Sequence, residues 1–193
     1  MGYRPLEEAR PLTIRAFFGV PLPGPQREQL AEFLSRCEAV APEFRWSPAD
    51  NLHLTVRFIG SVERALVEGI ADRLDAVAGP PIELQLGDAG TFRRSRMARV
   101  VWLGLKSGAE ALTALAARVE AECRAAGLAA EPRPFQPHMT LARARSREGA
   151  RQPELPAIPR LEPWTATELV LFWSQLKKGG AVHEPIRTIR LAA

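Results

Sequence analysis

The sequence predicts an α+β protein made of two related lobes, and three observations support this. Segments with strand-like and helix-like patterns alternate along the 193 residues. Landmarks of the first half recur after 85 or 86 positions, namely Ile14 and Val100, Cys37 and Cys123, and His53 and His138. The C-terminal segment has the pattern of a two-stranded hairpin. If the lobes face one another across a pseudo-twofold axis, the matching strands line a shared central cleft.

The first half begins with a buried strand over residues 14–20 and a proline-rich turn. A helix follows, and Pro42 ends it near Val40. Its apolar residues recur at helical spacing and predict one buried face: Leu30, Phe33, Leu34, Cys37 and Val40. A second strand over residues 52–59 precedes a helix that begins at about Val62. The predicted buried stripe of that helix contains Leu66, Ile70, Leu74 and Val77.

The second half contains two strands, a helix and a third strand before the final hairpin. Period-two alternation begins at Ile82, and a further apolar strand covers residues 100–105. The helix after it is predicted to begin with a capping box of Ser107 and Glu110 and to end at Gly127. Its predicted buried stripe contains Leu112, Leu115, Val119 and Cys123.

The C-terminal part continues with a strand over residues 138–143. Residues 145–163 are rich in arginine and proline and predict a surface loop. The hairpin consists of strands over residues 167–175 and 181–191, joined by a glycine turn at 178–180. We therefore expect a tail of residues 1–12 and one two-lobed domain of residues 13–193.

Composition predicts a soluble, cytoplasmic protein. Hydrophobic residues make up 46% of the chain, and no apolar run approaches the roughly 20 residues that span a membrane. The first residues lack the apolar core of a signal peptide. Cys37 and Cys123 lie in helical patterns without ligand-type neighbours, which indicates neither a disulfide nor a metal site. The net charge of +4 is compatible with a polyanionic ligand without requiring one.

Two of the three histidines lie in the same four-residue pattern, HLTV at 53–56 and HMTL at 138–141. Because side chains alternate along a strand, His53 and Thr55 share one face, and so do His138 and Thr140. A single histidine on a strand is more often structural than catalytic. Two copies at the repeat offset indicate a functional pair.

Two imidazoles and two hydroxyls suit attack at phosphorus without a metal. In-line displacement places the attacking and leaving oxygens on opposite sides of the phosphorus atom. A neutral imidazole can accept the attacking proton while an imidazolium protonates the leaving oxygen, since the reference pKa of histidine is about 6.5. Threonine hydroxyls can donate to the remaining phosphoryl oxygens.

The segments FRW (44–46), NLHLTVRFIG (51–60) and FQPHMTLAR (135–143) resemble the two-histidine phosphoesterase superfamily, and most closely its RNA 2′,3′-cyclic phosphodiesterases, also called 2′-5′ RNA ligases. The resemblance implies a bilobal fold of two antiparallel sheets flanked by helices with a central cleft. It implies metal-independent hydrolysis of an RNA-terminal 2′,3′-cyclic phosphate to a 2′-phosphate, and the reverse 2′-5′ ligation. The implied partners are such RNA ends or nucleoside 2′,3′-cyclic phosphates, with no cofactor, metal or membrane, and we expect a monomer.

The resemblance also implies residue roles. His53 is the general acid that protonates the leaving 3′-oxygen, His138 is the general base that activates water, and Thr55 and Thr140 bind the phosphate. Because the two motifs are nearly symmetric, the acid and base roles can be exchanged. Two alternatives stay open: a related enzyme acting on a small cyclic phosphate, such as an ADP-ribose derivative, or on 2′-5′ oligonucleotides, and a protein that binds RNA ends without turnover.

Five further residues are candidates for substrate contact. Arg57 shares strand parity with His53 and either binds phosphate or forms a surface ion pair. Arg143 ends the second motif, but strict alternation places it opposite His138 unless a bulge redirects it. Phe135 and Trp46 either stack on a base or belong to the core. His183 stands where the resembled family carries a tyrosine after the glycine turn.

Overall fold

The computed structural model describes residues 12–177 and 180–192. The elements over these residues are β1 (Thr13–Pro21), α1 (Gly24–Val40), β2 (Phe44–Trp46), a 3-10 turn (Ala49–Asn51), β3 (His53–Glu63), α2 (Arg64–Leu74), β4 (Ile82–Arg94), β5 (Met97–Ser107), α3 (Ala109–Ala125), β6 (Met139–Ala144), β7 (Trp164–Ala166), β8 (Glu168–Lys177) and β9 (Gly180–Arg190). Except for Leu12, which is exposed, the predicted tail lies outside the described residues, and so do Lys178 and Gly179 of the predicted turn.

The strands form an antiparallel sheet in the order β7-β4-β5-β6-β3-β1-β8-β9, and β2 also pairs with β6. Two halves meet at the centre, where Leu54 of β3 pairs with Met139 of β6. On one side of this junction lie β3, β1, β8 and β9, and on the other lie β6, β5, β4 and β7. The unit β1-α1-β3 thus corresponds to β5-α3-β6. The predicted α+β class with antiparallel sheets and flanking helices is confirmed.

The helices cover one face of the sheet. The predicted buried residues of α1 and α3 are buried, except Val40, which is 59% exposed. Ion pairs connect α2 to α3 through Arg73 and Glu122, and α2 to β9 through Asp72 and Arg187. Val77, predicted in the stripe of α2, is exposed because this helix ends at Leu74. No helix in the described part combines the length and apolar character that crossing a bilayer requires.

Of the two predicted ends of α3, the structure confirms the C-terminal one and not the N-terminal one. The predicted capping box is wrong, because Gly108 occupies the N-cap position with φ +85° and no side chain caps the helix. The predicted end is confirmed: Gly127 has φ +87°, and the amide of Leu128 donates to the carbonyl of Cys123, a glycine-dependent helix end. Two three-residue strands, β2 and β7, were not predicted as strands, because so few residues carry no periodicity.

Candidate active site

His53 is held in a defined tautomer at the start of β3. Its Nδ1 lies 2.7 Å from the carbonyl oxygen of Asn51, and its Nε2 lies 3.0 Å from Oγ1 of Thr55. Since a carbonyl can only accept, Nδ1 carries the proton of the neutral ring. Nε2 then accepts a hydrogen bond from the Thr55 hydroxyl and is available for proton transfer.

His138, which immediately precedes β6, repeats this arrangement in the second lobe. Its Nδ1 lies 2.7 Å from the carbonyl oxygen of Gln136, again two residues earlier in the chain. The neutral ring therefore also carries its proton on Nδ1 and leaves Nε2 unprotonated. The two imidazoles related by the repeat thus have the same neutral tautomer, with the proton on Nδ1.

Aromatic rings support His53. Phe17 of β1 stacks on the imidazole with ring centroids 4.5 Å apart, and His183 of β9 meets it edge-on at 5.2 Å. The ring of His53 also lies over Gly19, where an added Cβ would be 3.3 Å from its Cδ2. We call this side of the sheet, which carries His53 and Thr55, the cleft face; the helices cover the opposite face.

Aromatic rings also surround His138. Phe92 of β4 approaches the imidazole edge-on with centroids 4.8 Å apart, and Trp102 of β5 lies at 6.4 Å. The indole covers Gly90, where an added Cβ would lie 2.3 Å from ring atoms of Trp102. Gly90 thereby permits the close approach that places Trp102 beside His138.

The pKa of His53 is lowered from 6.5 to about 4. Burial is the largest cause, and the hydrogen bond to Asn51 opposes it. The positive charges of His183, Arg143 and His138 lower it further, so one electrostatic environment includes both motif histidines.

The other imidazoles shift in the same direction. The pKa of His138 is lowered chiefly by burial, against the hydrogen bond to Gln136 and with help from the charge of Arg143. Burial also lowers the pKa of His183.

Both threonines of the motifs lie beside the imidazoles on the cleft face. Thr55 pairs with Gly19, over which the His53 ring lies, and Thr140 pairs with Trp102, which contacts His138. Residues directly opposite in an antiparallel pair share a face. Over residues 12–177 and 180–192, no group of three or more His, Cys, Asp or Glu residues is placed to hold a metal ion.

A β-bulge in β3 determines where Arg57 points. The register pairs Thr55 with Gly19 and Arg57 with Phe18, so Val56 has no partner in β1. The extra residue interrupts the alternation of side chains. Arg57 therefore shares the helix-covered face with Phe18, which is fully buried in the core. The expected shared face with His53 is not found.

Arg57 instead connects β3 to α3 and the segment that follows it. Its guanidinium donates to Glu120 at 2.6 Å, to Glu131 at 3.1 Å and to the carbonyl of Ala129 at 2.7 Å. Its side chain is only 10% exposed. Of the two interpretations given for Arg57, the structure supports the ion pair.

The variant R57A should therefore lose stability rather than substrate affinity. Removal of the guanidinium leaves Glu120 and Glu131 partly buried without their common partner, which costs about 2 kcal/mol. We expect thermal denaturation to show a melting temperature lower by several degrees, with kcat/KM at 20 °C within about threefold of the wild type. A large rise in KM at unchanged stability would assign Arg57 to the substrate.

A second bulge redirects Arg143. In β6 the register skips Leu141, which lies between Thr140 and Ala142. Arg143 consequently points to the cleft face, the face of Thr140, and the charge of Arg143 lowers the pKa of both motif histidines. The bulge thus resolves the two interpretations of Arg143 in favour of a position at the site.

Of the remaining candidates from the sequence, two pack in or against the core and one lies at the site. Trp46 is buried and donates through Nε1 to the carbonyl of Ala41 at 3.0 Å, so it belongs to the core and not to the site. Phe135 is half-buried and packs against the core. His183 lies at the site, edge-on to both His53 and Phe17.

Sequence reasoning missed the supporting aromatic residues Phe17, Phe92 and Trp102 as parts of the site. One signal was available in β1. Phe17 and Phe18 are both large and apolar, although successive side chains of a strand point to opposite faces. This pattern indicates a strand covered on both faces, here by helices on one side and by His53 and its neighbours on the other.

Comparison with known proteins places the chain in a family. Residues 23–178 match the family model of the 2′-5′ RNA ligase superfamily. The chain is similar to the RNA 2′,3′-cyclic phosphodiesterase of Escherichia coli, with 32% identity over 174 residues that cover 90% of this chain and 94% of the relative. It is 30% identical to the enzyme of the same name from Geobacillus stearothermophilus over 168 residues, 84% of this chain and 52% of that one.

Solved structures agree with this placement. The crystal structure of E. coli LigT complexed with 3′-AMP superposes with a TM-score of 0.77 and 30% identity, covering 94% of this chain and 99% of LigT. Matching the family model over most of its length and carrying both paired motifs, the chain belongs to the 2′-5′ RNA ligase superfamily, the two-histidine phosphoesterases.

Proposed function

We propose that this protein hydrolyses RNA-terminal 2′,3′-cyclic phosphates to 2′-phosphates, with His53 and His138 as the proton-transferring groups. The observation that carries the proposal is the matched tautomer of the two imidazoles: each Nδ1 donates to a carbonyl two residues earlier, which leaves both Nε2 atoms for chemistry. Similar proteins named RNA 2′,3′-cyclic phosphodiesterase support the substrate class, and so does the complex of LigT with 3′-AMP.

In the proposed reaction, one water is consumed for each ring opened. The water oxygen bonds to phosphorus as its proton passes to Nε2 of His138, and the bond from phosphorus to the 3′-oxygen breaks as His53 protonates that oxygen. Once Nε2 of His53 is protonated it donates to Oγ1 of Thr55, which frees the Thr55 hydroxyl proton. Thr55 and Thr140 then donate hydrogen bonds to the non-bridging oxygens, where negative charge increases. Afterwards His138 loses a proton to solvent and His53 gains one.

The acid role of His53 requires a proton on Nε2, in addition to the one on Nδ1. With a pKa of about 4, the ring is neutral at neutral pH in the free protein. The negative charge of a bound cyclic phosphate favours the imidazolium and raises this pKa. The exchanged assignment, with His138 as the acid and His53 as the base, follows the same geometry if the substrate binds with its 3′-oxygen beside His138.

We further propose that the reaction needs no divalent cation, because the two imidazoles together supply both proton transfers. We also propose that it occurs in the cytoplasm, which the similarity to a bacterial enzyme named for an RNA substrate supports. With the 5′-hydroxyl of a second RNA strand in place of water, the same two groups would take up its proton and protonate the leaving 3′-oxygen. The 5′-oxygen would then be bonded to the 2′-phosphate, which is the chemistry of 2′-5′ ligation.

Incubation of the pure protein with nucleoside 2′,3′-cyclic phosphates tests the proposal directly. We expect 2′-monophosphates as products, identified by chromatography against both isomers, at equal rates with and without EDTA. A 3′-phosphate product would refute the assignment of the leaving oxygen. A strict requirement for divalent ions would refute the metal-independent mechanism. Turnover of a cyclic phosphate of an ADP-ribose derivative alone would favour the related enzyme on a small substrate.

A further inference from the structure

A row of four side chains crosses the second lobe on the cleft face. Phe92 of β4 pairs with Val100 of β5, Val100 pairs with Arg143 of β6, and Arg143 pairs with Arg45 of β2. Directly paired residues share a face, and neighbouring strands lie about 4.8 Å apart. The row therefore begins at Phe92, in contact with His138, and ends at Arg45 on the edge of the sheet.

Arg45 projects away from the core on the same side as Arg143. Its neighbours in β2, Phe44 and Trp46, are both buried, whereas Arg45 is exposed. Arg143 is exposed as well. The two guanidinium side chains thus stand on directly opposite positions of adjacent strands.

This placement of two like charges needs a counter-charge. Like charges directly opposite one another in an antiparallel pair destabilise the sheet. Among the described residues, no carboxylate lies within 4 Å of either guanidinium, so the chain itself does not neutralise this adjacent pair. An anion from outside the chain would relieve the repulsion.

We propose that Arg45 and Arg143 bind a backbone phosphate of the RNA strand upstream of the terminal cyclic phosphate. This inference rests on the proposed function and extends it from a terminal nucleotide to an RNA chain. Guanidinium groups match phosphate oxygens in pairs of parallel hydrogen bonds, and both here are accessible to a large ligand.

Distance separates Arg45 from the reacting phosphate. Arg143 follows His138 by five residues, roughly 16 Å along an extended strand, although its long side chain brings its charge back towards both imidazoles. Arg45 lies opposite Arg143 on the edge of β6 that also pairs with β3, four residues along β6 from the pair of Leu54 and Met139. A substrate with one phosphate at the histidines leaves Arg45 without a ligand, whereas a longer chain supplies a second phosphate.

The test compares two substrates on three proteins. The substrates are a nucleoside 2′,3′-cyclic phosphate and a trinucleotide that ends in the same cyclic nucleotide. The proteins are the wild type, R45Q and the control R36Q, which removes an equal charge from an exposed position of α1. In R45Q we expect the ratio of kcat/KM for the trinucleotide to that for the mononucleotide to fall about fivefold or more. The slope of log kcat/KM for the trinucleotide against log salt concentration should also become shallower by about one, the loss of one phosphate contact.

The outcomes separate the inference from the function on which it rests. If the wild type hydrolyses both substrates and R45Q keeps the wild-type ratio, the phosphate subsite is refuted and the proposed function stands. If the wild type hydrolyses neither substrate, the proposed function fails. An equal fall of the ratio in R36Q would show that overall charge, and not Arg45, attracts the RNA, and would also overturn the inference. Circular dichroism of each variant excludes unfolding as the cause.

Discussion

Replacement of His53 or His138 by alanine is expected to lower kcat for cyclic phosphate hydrolysis by a factor of about 10²–10⁴. Each imidazole carries out one of the two proton transfers, and its Nε2 has no substitute when the ring is removed. The stacked neighbours of His53 and the edge-on neighbour of His138 stay in the variants, so the pocket retains its walls. Because the two groups act in one step, we expect the double variant to lose little more activity than the weaker single variant.

Separate measurements of binding and turnover distinguish catalysis from simple recognition. Binding of 3′-AMP, followed by calorimetry, is expected to weaken far less than kcat falls, since both threonines remain. The R36Q protein, altered on the helix side, serves as the control for expression and folding. Hydrolysis at the wild-type rate in both alanine variants would refute the catalytic pair, and binding without turnover by the wild type would identify a protein that only recognises RNA ends.

The central part of the site could be predicted because it depends on short-range rules. Period-two alternation places an imidazole and a hydroxyl on one face of each strand, and the repeat offset relates the two strands. What the sequence does not contain is the register of the neighbouring strand. In β3 and β6 alike, the residue after the threonine, Val56 or Leu141, has no partner across the ladder.

Those two bulges decide which basic residue enters the site. At the fourth position after the histidine the chain has Arg57 in β3, and at the fifth position after the histidine it has Arg143 in β6. After a bulge at the third position, the fourth turns to the helices and the fifth to the cleft. Arg57 and Arg143 therefore have different roles although both follow a His-x-Thr motif.

The aromatic residues around the histidines were missed for a related reason. A large apolar side chain on a strand is usually part of the core, and Phe17 is indeed buried. The side of the sheet on which it is buried depends on which strand lies beside it. Pairing of β1 with β8 places Phe17 next to Phe172, 5.0 Å between ring centroids, and the histidines complete the cluster. Such pairing between distant segments cannot be read from local periodicity.

The pH dependence of kcat/KM is expected to be a bell with its maximum on the acidic side of neutrality. The reaction needs one proton shared by the pair: above the higher pKa both rings are neutral, and below the lower one both are charged. In the free protein the pKa of His53 is about 4, and that of His138 lies below 6.5. The singly protonated pair therefore predominates between about pH 4 and a value below 6.5, mostly with its proton on His138. The form with the proton on His53 has a lower population but the same pH dependence, so kcat/KM falls about tenfold per pH unit above that window.

The bell for kcat should lie at higher pH than the bell for kcat/KM. The bound cyclic phosphate is an anion and stabilises both imidazolium forms, so both pKa values rise in the complex. Initial rates from pH 4 to 9 at constant ionic strength give both profiles. A flat kcat/KM profile from pH 5 to 9, or a maximum at pH 8 or above, would contradict the assignment of two depressed histidines.

The variant H183Q tests whether the third imidazole contributes to this acidic position. The charge of His183 is one of the causes that lower the pKa of His53, and the two rings meet edge-on at 5.2 Å. A neutral amide of similar size removes the repulsion, so the acid limb of the kcat/KM profile should move to higher pH while the alkaline limb moves less. The R36Q protein should retain both limbs. An acid limb that stays in place in H183Q would show that the charge of His183 does not depress the pKa of His53, and that His183 contributes only its ring to the wall of the site.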